Sequence, residues 1–244
     1  MKLLVDVGNT RLKWALWDGT LRPGEPLPHG GYPWAAFAGQ RWPVVQEVWL
    51  SAVPRLGEAA RWQSVVQAAC GVAPQLPRSR AEWQGLRNVY PQPERLGIDR
   101  WLAMVAVWQQ RRGPFVVLSA GTALTFDRVD REGCHLGGII APGYGSALAS
   151  LLQVTATATP AAVPADPRGL GSNSETAIRQ GALFAALGAV EHCLRAPGGD
   201  PDELRVLTGG DALLLLPQLP GAWQLRPQLV LEGLLALSEA GATP

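Results

Sequence analysis

The chain opens Leu3-Leu4-Val5-Asp6-Val7-Gly8-Asn9-Thr10-Arg11-Leu12-Lys13-Trp14-Ala15-Leu16-Trp17, and this stretch decides how the rest is read. An apolar run carries one carboxylate, Asp6, to the lip of a Gly-Asn-Thr turn, and a second apolar run leads away. Short apolar runs bounded by such a turn predict two buried strands. Gly8-Asn9 suits a tight hairpin, because both residues tolerate positive φ. The same atoms suit a phosphate cradle, in which backbone N–H groups and Thr10 hold phosphoryl oxygens while Asp6 handles a divalent cation. The stretch alone leaves both readings open.

Outward from it, the pattern returns at residues 115–129, FVVLSAGTALTFDRV. A shift that carries Asp6 onto Ser119 lays Asp6-Val7-Gly8-Asn9 on Ser119-Ala120-Gly121-Thr122, with apolar strands before and after each turn. Two strand–Gly-turn–strand units at the starts of two halves predict a duplicated fold. The halves divide into residues 1–113, which hold the first turn, and 114–244, which hold the second. Between the turns, residues 44–53 read as a strand, residues 55–70 as a helix stopped by Gly71, and residues 101–112 as a helix stopped by Gly113-Pro114. Residues 21–33 and 72–96, rich in Gly and Pro, read as loop. In the second half, residues 136–143 predict a strand and residues 144–153 a helix. Residues 154–171 predict a surface loop, and Ser172-Asn173-Ser174-Glu175 a capping box opening a long helix. Leu204 to Leu207 form a strand running into Thr208-Gly209-Gly210-Asp211, and residues 228–239 a last helix. Buried strands with covering helices, repeated, give an α/β architecture.

Composition narrows the function. The 244 residues are 47% hydrophobic, enough for one large domain or two ordinary ones. A formal net charge of +1 leaves no electrostatic footprint for nucleic acid or an anionic membrane surface. Cys70, Cys134 and Cys193 lie far apart with no CxxC spacing, which argues against a disulfide framework or a zinc site and fits a reducing cytoplasm. His29, His135 and His192 are equally scattered and read as surface or satisfied core residues. No secretory signal is expected, and no run reaches the roughly 18 apolar residues of a membrane span.

Nowhere does Gly-x-x-x-x-Gly-Lys-Ser/Thr occur, nor a GxGxxG followed by a ribose-binding acid, nor a G-x-S-x-G elbow. What remains is two glycine turns, Asp6 before the first, Thr208-Gly209-Gly210, and Asp99-Arg100 opening a helix. Those parts suit phosphoryl transfer, which needs phosphate positioning, a metal handle, charge neutralisation and an acceptor-side base. A carboxylate at a helix N-terminus is favoured as the anion and can accept a proton from an attacking alcohol. Arg100 can hold a carboxylate substrate in bidentate fashion. The plainer alternative is that Asp99 caps the helix and Arg100 sits on the surface. The Gly209-Gly210 pair permits close approach of a flat ligand such as a purine, or is simply a tight strand-to-helix turn.

Taken together, Asp6-x-Gly8-Asn9-Thr10, Tyr90-x-x-Pro93-x-x-Leu96-Gly97-x-Asp99-Arg100, Gly121-Thr122-Ala123, Gly137-Gly138-x-Ile140-x-Pro142-Gly143, Gly171-x-Asn173-Ser174 and Thr208-Gly209-Gly210 resemble the type III pantothenate kinases in order and spacing. Each motif is weak alone; six in register are specific. The resemblance implies the acetate and sugar kinase/Hsp70/actin superfamily: duplicated ribonuclease H-like, actin-like ATPase lobes with mixed sheets covered by helices. It implies ATP- and Mg²⁺-dependent phosphorylation of pantothenate to 4′-phosphopantothenate, the first step of coenzyme A synthesis, by a cytoplasmic homodimer that uses K⁺ or NH₄⁺. By position, it puts ATP phosphates on Asp6, Val7, Gly8, Asn9, Thr10, Arg11, Leu12 and Lys13, with Asp6 near the magnesium. Gly121, Thr122, Gly209 and Gly210 complete the ATP contacts, the last two in an adenosine region of the second lobe. Pantothenate falls to Tyr90, Gly97, Ile98, Asp99, Arg100 and Ser174, with Asp99 as proton acceptor. Ser119 stands where the family has an acid that serves the monovalent cation, and a neutral hydroxyl supplies no charge to it. The resemblance therefore implies a kinase with weakened or absent potassium dependence. Its alternative is an impaired member acting as a nucleotide- or pantothenate-binding regulatory accessory factor.

Overall fold

The computed structural model describes residues 1–52, 58–154 and 169–241. The chain divides into two units. The first begins with the predicted hairpin, β1 (Lys2–Val7) and β2 (Arg11–Trp17), antiparallel with Asp6 opposite Lys13. Two short strands, β3 (Leu21–Pro23) and β4 (Leu27–Pro28), both pair with β2, where the sequence predicted only loop. Prolines confine these pieces to a few residues at the sheet's edge. Helix α1 (Pro33–Ala38) and strand β5 (Glu47–Ala52) follow; β5 lies parallel to β1, with Ser51 beside Asp6. Helix α2 (Glu58–Cys70) ends where Gly71, at φ +72°, takes the left-handed cap position. Positions 53–57 of the predicted strand and helix lie outside the described residues. The segment predicted as loop up to residue 96 holds β6 (Pro74–Gln75), a small hairpin of β7 (Glu82–Trp83) and β8 (Leu86–Arg87), and a 3-10 turn at Pro93–Arg95. Helix α3 spans Ile98–Gln110, three residues earlier than the apolar periodicity placed it.

Both faces of this sheet are buried, as the near-continuous apolar runs require. One face, with Leu3, Val5, Leu12, Val48 and Leu50, packs on Phe37, Trp62 and Val66 of α1 and α2. Period-two alternation sends Lys2, Leu4 and Asp6 of β1 to the other face.

The second unit has the same plan. Strands β9 (Phe115–Ala120) and β10 (Ala123–Val129) form the second hairpin, and β11 (His135–Pro142) extends the sheet beside β10. After α4 (Tyr144–Val154) and α5 (Ser174–Arg195), strand β12 (Leu204–Thr208) inserts parallel to β9. It is followed by α6 (Ala212–Leu215) and β13 (Gln224–Leu225), the latter parallel to β12. The sheet orders β3-β2-β1-β5-β6 and β11-β10-β9-β12-β13 match strand for strand, each with its hairpin antiparallel and its inserted strand parallel. Most of the predicted loop at 154–171 lies outside the described residues. The capping box at α5 is present one residue later than predicted. Asn173 is the cap and exchanges hydrogen bonds with Thr176, because the Asn173 amide oxygen reaches the Thr176 N–H at 2.9 Å.

A buried ion pair locks this unit. Arg128, 5% exposed at its side chain, donates to Glu203 at 2.7 Å and also to the carbonyls of Cys193 and Ala196 at the end of α5. The guanidinium thereby satisfies the Ala196 carbonyl at the helix end and adds a second bond to the Cys193 carbonyl, which also accepts the Ala196 N–H.

The last helix, α7 (Leu229–Glu239), belongs to the first unit, although a division at residue 113 assigns it to the second. Gly233 lets α7 press onto α3, where a Cβ would stand 2.1 Å from the Leu102 carbonyl oxygen. Lys2 of β1 donates to the Ser238 carbonyl at 3.1 Å, which puts α7 over the face of the sheet that carries Leu4 and Asp6. Residues 131–135 also join the first unit, through the Arg87 N–H on the Gly133 carbonyl at 2.8 Å and Gly133 packed on Trp108. Helix α3 is buried all round from Arg100 to Trp108, as expected of a helix apolar on every side.

Candidate active site

In the first unit the covered face of the sheet ends in a polar row. Asp6 lies between Lys13 on β2 and Ser51 on β5, all three on one face by register. Ser51, absent from the sequence reading, hydrogen-bonds the Asp6 carboxylate. Burial, reinforced by the charge of Asp99 and offset in part by Lys13 and the Ser51 bond, pushes the Asp6 carboxyl up to about 6. The two carboxylates are therefore near enough to repel although most of a lobe separates them in sequence. Beyond them the turn is open: Gly8, Asn9, Thr10 and Arg11 are exposed, and the Gly8 N–H closes the hairpin on the Arg11 carbonyl at 3.1 Å. The turn is thus a hairpin, and its exposed backbone leaves room for a ligand. Leu12 and Val7 point their side chains into or against the core, so only their backbone faces the turn.

Asp99 is the second residue of α3 and is exposed; the cap itself is Gly97, so Asp99 is not the capping residue. The carboxylate folds back over Gly97, where a Cβ would meet Asp99 Oδ1 at 2.7 Å. Glycine at 97 is what gives Asp99 this rotamer. Ile98 is buried beside it. Arg100 is only 5% exposed, which excludes the surface reading; its Nη1 donates to the Tyr90 hydroxyl at 3.0 Å. Tyr90 is set by Asn88, whose side chain accepts from the Tyr90 N–H at 3.0 Å and donates to the Pro93 carbonyl. His135 stacks on the Tyr90 ring, with centroids 6.1 Å apart and planes 14° from parallel. The sequence offered no signal for His135.

The second unit repeats the row with different chemistry. Ser119 pairs with Thr125 on β10 and Thr208 on β12, so three hydroxyls occupy the places of Asp6, Lys13 and Ser51. The turn Gly121-Thr122 is one residue shorter than the first and closes from the Gly121 N–H to the Ala123 carbonyl at 3.1 Å. It is braced from behind. Gly143 donates its N–H to the Thr122 carbonyl, Ser146 donates its hydroxyl to the same oxygen at 2.7 Å, and a Cβ on Gly143 would stand 1.8 Å from the Gly121 carbonyl oxygen. Gly209, at φ +102°, lies against the Ala120 carbonyl, where the Asp211 N–H also bonds at 2.9 Å. Gly210 is exposed next to it, and Ser174 is exposed in the first turn of α5.

Among the described residues no three metal-type side chains converge. That donor set does not make a protein cage. It fits a magnesium ion carried mostly by nucleotide phosphates and water, with one or two carboxylates from the protein. The raised Asp6 carboxyl, held near a second acid, is a site whose charge a cation would relieve. No helix among the described residues is long and apolar enough to cross a membrane.

Duplicated lobes of this topology, each opening on a glycine turn, define the actin-like ATPase and sugar-kinase class of folds. The structure is similar to a chain from Campylobacter jejuni described as a Baf family transcriptional activator (TM-score 0.63, 19% identity, 98% of each chain covered). It is also similar to the activator of the 2-hydroxyisocaproyl-CoA dehydratase from Clostridium difficile, solved with bound ADPNP (TM-score 0.54, 11% identity, 98% of this chain and 95% of that one). At those identities the likeness is one of fold. Sequence goes further: residues 2–196 match the family model of the type III pantothenate kinases. The chain is 37% identical to the type III pantothenate kinase of Chromobacterium violaceum over 98% of its own length and 99% of that protein's. It is 34% identical to that of Nitrosococcus oceani, over 98% and 94%. The chain belongs to the type III pantothenate kinase family, the ATP-dependent enzymes that phosphorylate pantothenate at the first step of coenzyme A synthesis.

Proposed function

We propose a division of labour in which Asp99 is the proton acceptor, Arg100 and Tyr90 orient pantothenate, and the Asp6–Lys13 hairpin holds the ATP phosphates. The primary hydroxyl oxygen of pantothenate forms a bond to the γ-phosphorus as the bond from that phosphorus to the β,γ-bridging oxygen breaks. The hydroxyl proton passes to Asp99, and ADP leaves with the bridging oxygen. A magnesium ion bound with ATP would neutralise charge on the β- and γ-phosphates, and Asp6 is the residue that would hold it, partly through water. Lys13 adds fixed positive charge beside Asp6. Arg100, buried and braced by Tyr90, presents a guanidinium whose geometry matches the pantothenate carboxylate. Gly97 and Ile98 offer backbone groups beside Asp99, and Ser174 a hydroxyl. On the second unit, Thr122 and the Gly121 backbone contact ATP, and Gly209-Gly210 admits the adenosine. The observation that carries the reading is the electrostatic coupling of Asp6 with Asp99, a metal-handling acid and a base set close together.

The hydroxyl row Ser119–Thr125–Thr208 supplies no charge, which supports weakened or absent dependence of this kinase on K⁺ or NH₄⁺. It works in the cytoplasm as a homodimer. The test is pantothenate phosphorylation by wild type and Ser119→Asp, each with and without potassium. Wild type is expected to be indifferent to potassium and the variant to gain stimulation. Wild-type protein inactive under every cation condition would refute the division of labour, and equal indifference in both proteins would refute the role of position 119.

A further inference from the structure

His29 belongs to none of the motifs, yet it touches the first turn. Its Nε2 lies 2.9 Å from the Gly8 carbonyl oxygen, and its Nδ1 accepts the Gly31 N–H at 3.1 Å. With Nδ1 occupied as acceptor, Nε2 carries the proton and donates to Gly8. Two features of the chain put the ring there. Strand β4 pairs with the start of β2, Pro28 opposite Arg11, so the next residue along comes level with the Gly8-Asn9-Thr10 turn. Then Gly30 and Gly31, at φ +52° and +89°, fold the chain back so that the Tyr32 N–H reaches the His29 carbonyl at 2.7 Å. Two consecutive positive-φ residues define a tight primed turn that glycine adopts at no steric cost. That turn delivers the Gly31 N–H to the imidazole and fixes its tautomer.

We infer that His29 is a positioning residue for ATP: it fixes the plane of the Gly8–Asn9 peptide, so that the turn offers a donor rather than a carbonyl to phosphate. The inference rests on the reading above that this turn holds the ATP phosphates. In a trans peptide the carbonyl and the following N–H point in opposite directions. Anchoring the Gly8 oxygen on His29 therefore turns the Asn9 N–H away from His29. A glycine peptide without that anchor flips readily, because Gly8 carries no Cβ to oppose the rotation. A flipped peptide would set a carbonyl oxygen against a phosphoryl oxygen. The Gly8 N–H is already used in closing the hairpin on Arg11, so it does not fix the next peptide plane.

The test compares His29→Phe, which keeps a ring but loses the donor, with His29→Gln, which restores an N–H donor at the position of Nε2. Thr10→Ala controls for the turn itself. Each protein is titrated with a non-hydrolysable ATP analogue and magnesium, and its steady-state KM for ATP and for pantothenate is measured. Loss of one such hydrogen bond predicts an analogue Kd and ATP KM raised about 3- to 10-fold in His29→Phe. The pantothenate KM stays unchanged, and His29→Gln returns most of the loss. Thr10→Ala should also weaken the analogue. If Thr10→Ala weakens binding and His29→Phe does not, the inference on His29 is overturned while the turn keeps its role. If neither variant changes analogue affinity, the turn does not hold phosphate and both readings fall. Equal rises in both KM values would mark His29 as a general structural residue and overturn the inference.

Discussion

Replacing Asp6 by Asn should stabilise the protein free of nucleotide and metal, in a way that depends on pH. Asp6 has its carboxyl raised to about 6 by burial and by Asp99, against 3.8 for an unperturbed aspartate. The folded state therefore holds the proton more tightly than the unfolded state does. Below about pH 4 both states are protonated and the group contributes nothing. As pH rises from about 4 to about 6 the unfolded chain ionises first and stability falls; above about 6 the loss is complete and constant. A shift of roughly two units corresponds to about 3 kcal/mol, and because Asp6 keeps part of its surface in water, about 1–3 kcal/mol is the expected cost. Asn is nearly isosteric and its amide oxygen still accepts from Ser51, but it carries no charge. Urea unfolding of both proteins in EDTA, at about pH 5 and about pH 7.5, reads the difference directly. Asp6→Asn should gain on wild type by about 1 kcal/mol between the two conditions, since any pH-independent effect of the substitution cancels. A stability difference that is the same at both pH values, or that shrinks toward pH 7.5, would refute the placement of Asp6 in a desolvated site beside Asp99. The same variant should lose kinase activity, which makes the stored repulsion part of the function.

Asp99→Asn should lower kcat by about 10²- to 10⁴-fold without loss of stability, because the side chain is exposed, its loss leaves no buried gap, and removing its charge relieves the repulsion on Asp6; steady-state kinetics and a urea curve at about pH 7.5 check this. Gly143→Ala should cost more than about 2 kcal/mol, since its Cβ would overlap the Gly121 carbonyl. Gly145→Ala, two residues on with nothing within 4 Å, should be neutral or stabilising by up to about 1 kcal/mol, and thermal melts of the pair give the contrast. Glu203→Ala should destabilise by about 3–5 kcal/mol by stranding the buried Arg128 charge, measured by denaturant titration.

Much of the fold is legible in the chain because local patterns carried it. Both hairpins, the long helix after Asn173 and the last helix follow from apolar spacing and turn residues that act within a few positions of one another. The register of the internal repeat, Asp6 onto Ser119, also matches the two strand pairs, since β1 and β9 occupy the same place in sheets of the same order. Among the strands that were missed, β3, β4 and β6 are two or three residues long and contain proline. They have no periodicity to read and exist only because an edge was available to pair with.

The duplicated strand–turn–strand plan and the family's motifs, down to the neutral Ser119, are therefore written in the order of the residues. Which of those residues act on one another follows from packing. Asp6 and Asp99 repel because α7 and α3 close over one face of the first sheet. Arg100 is buried under Tyr90 rather than exposed. The partners of Ser119 are two further hydroxyls, and His29 reaches the Gly8 carbonyl from a stretch that read as loop. Propensity and patterning act over a few residues, whereas charge coupling, desolvation and hydrogen-bond partners depend on distances in space that only the packed chain defines.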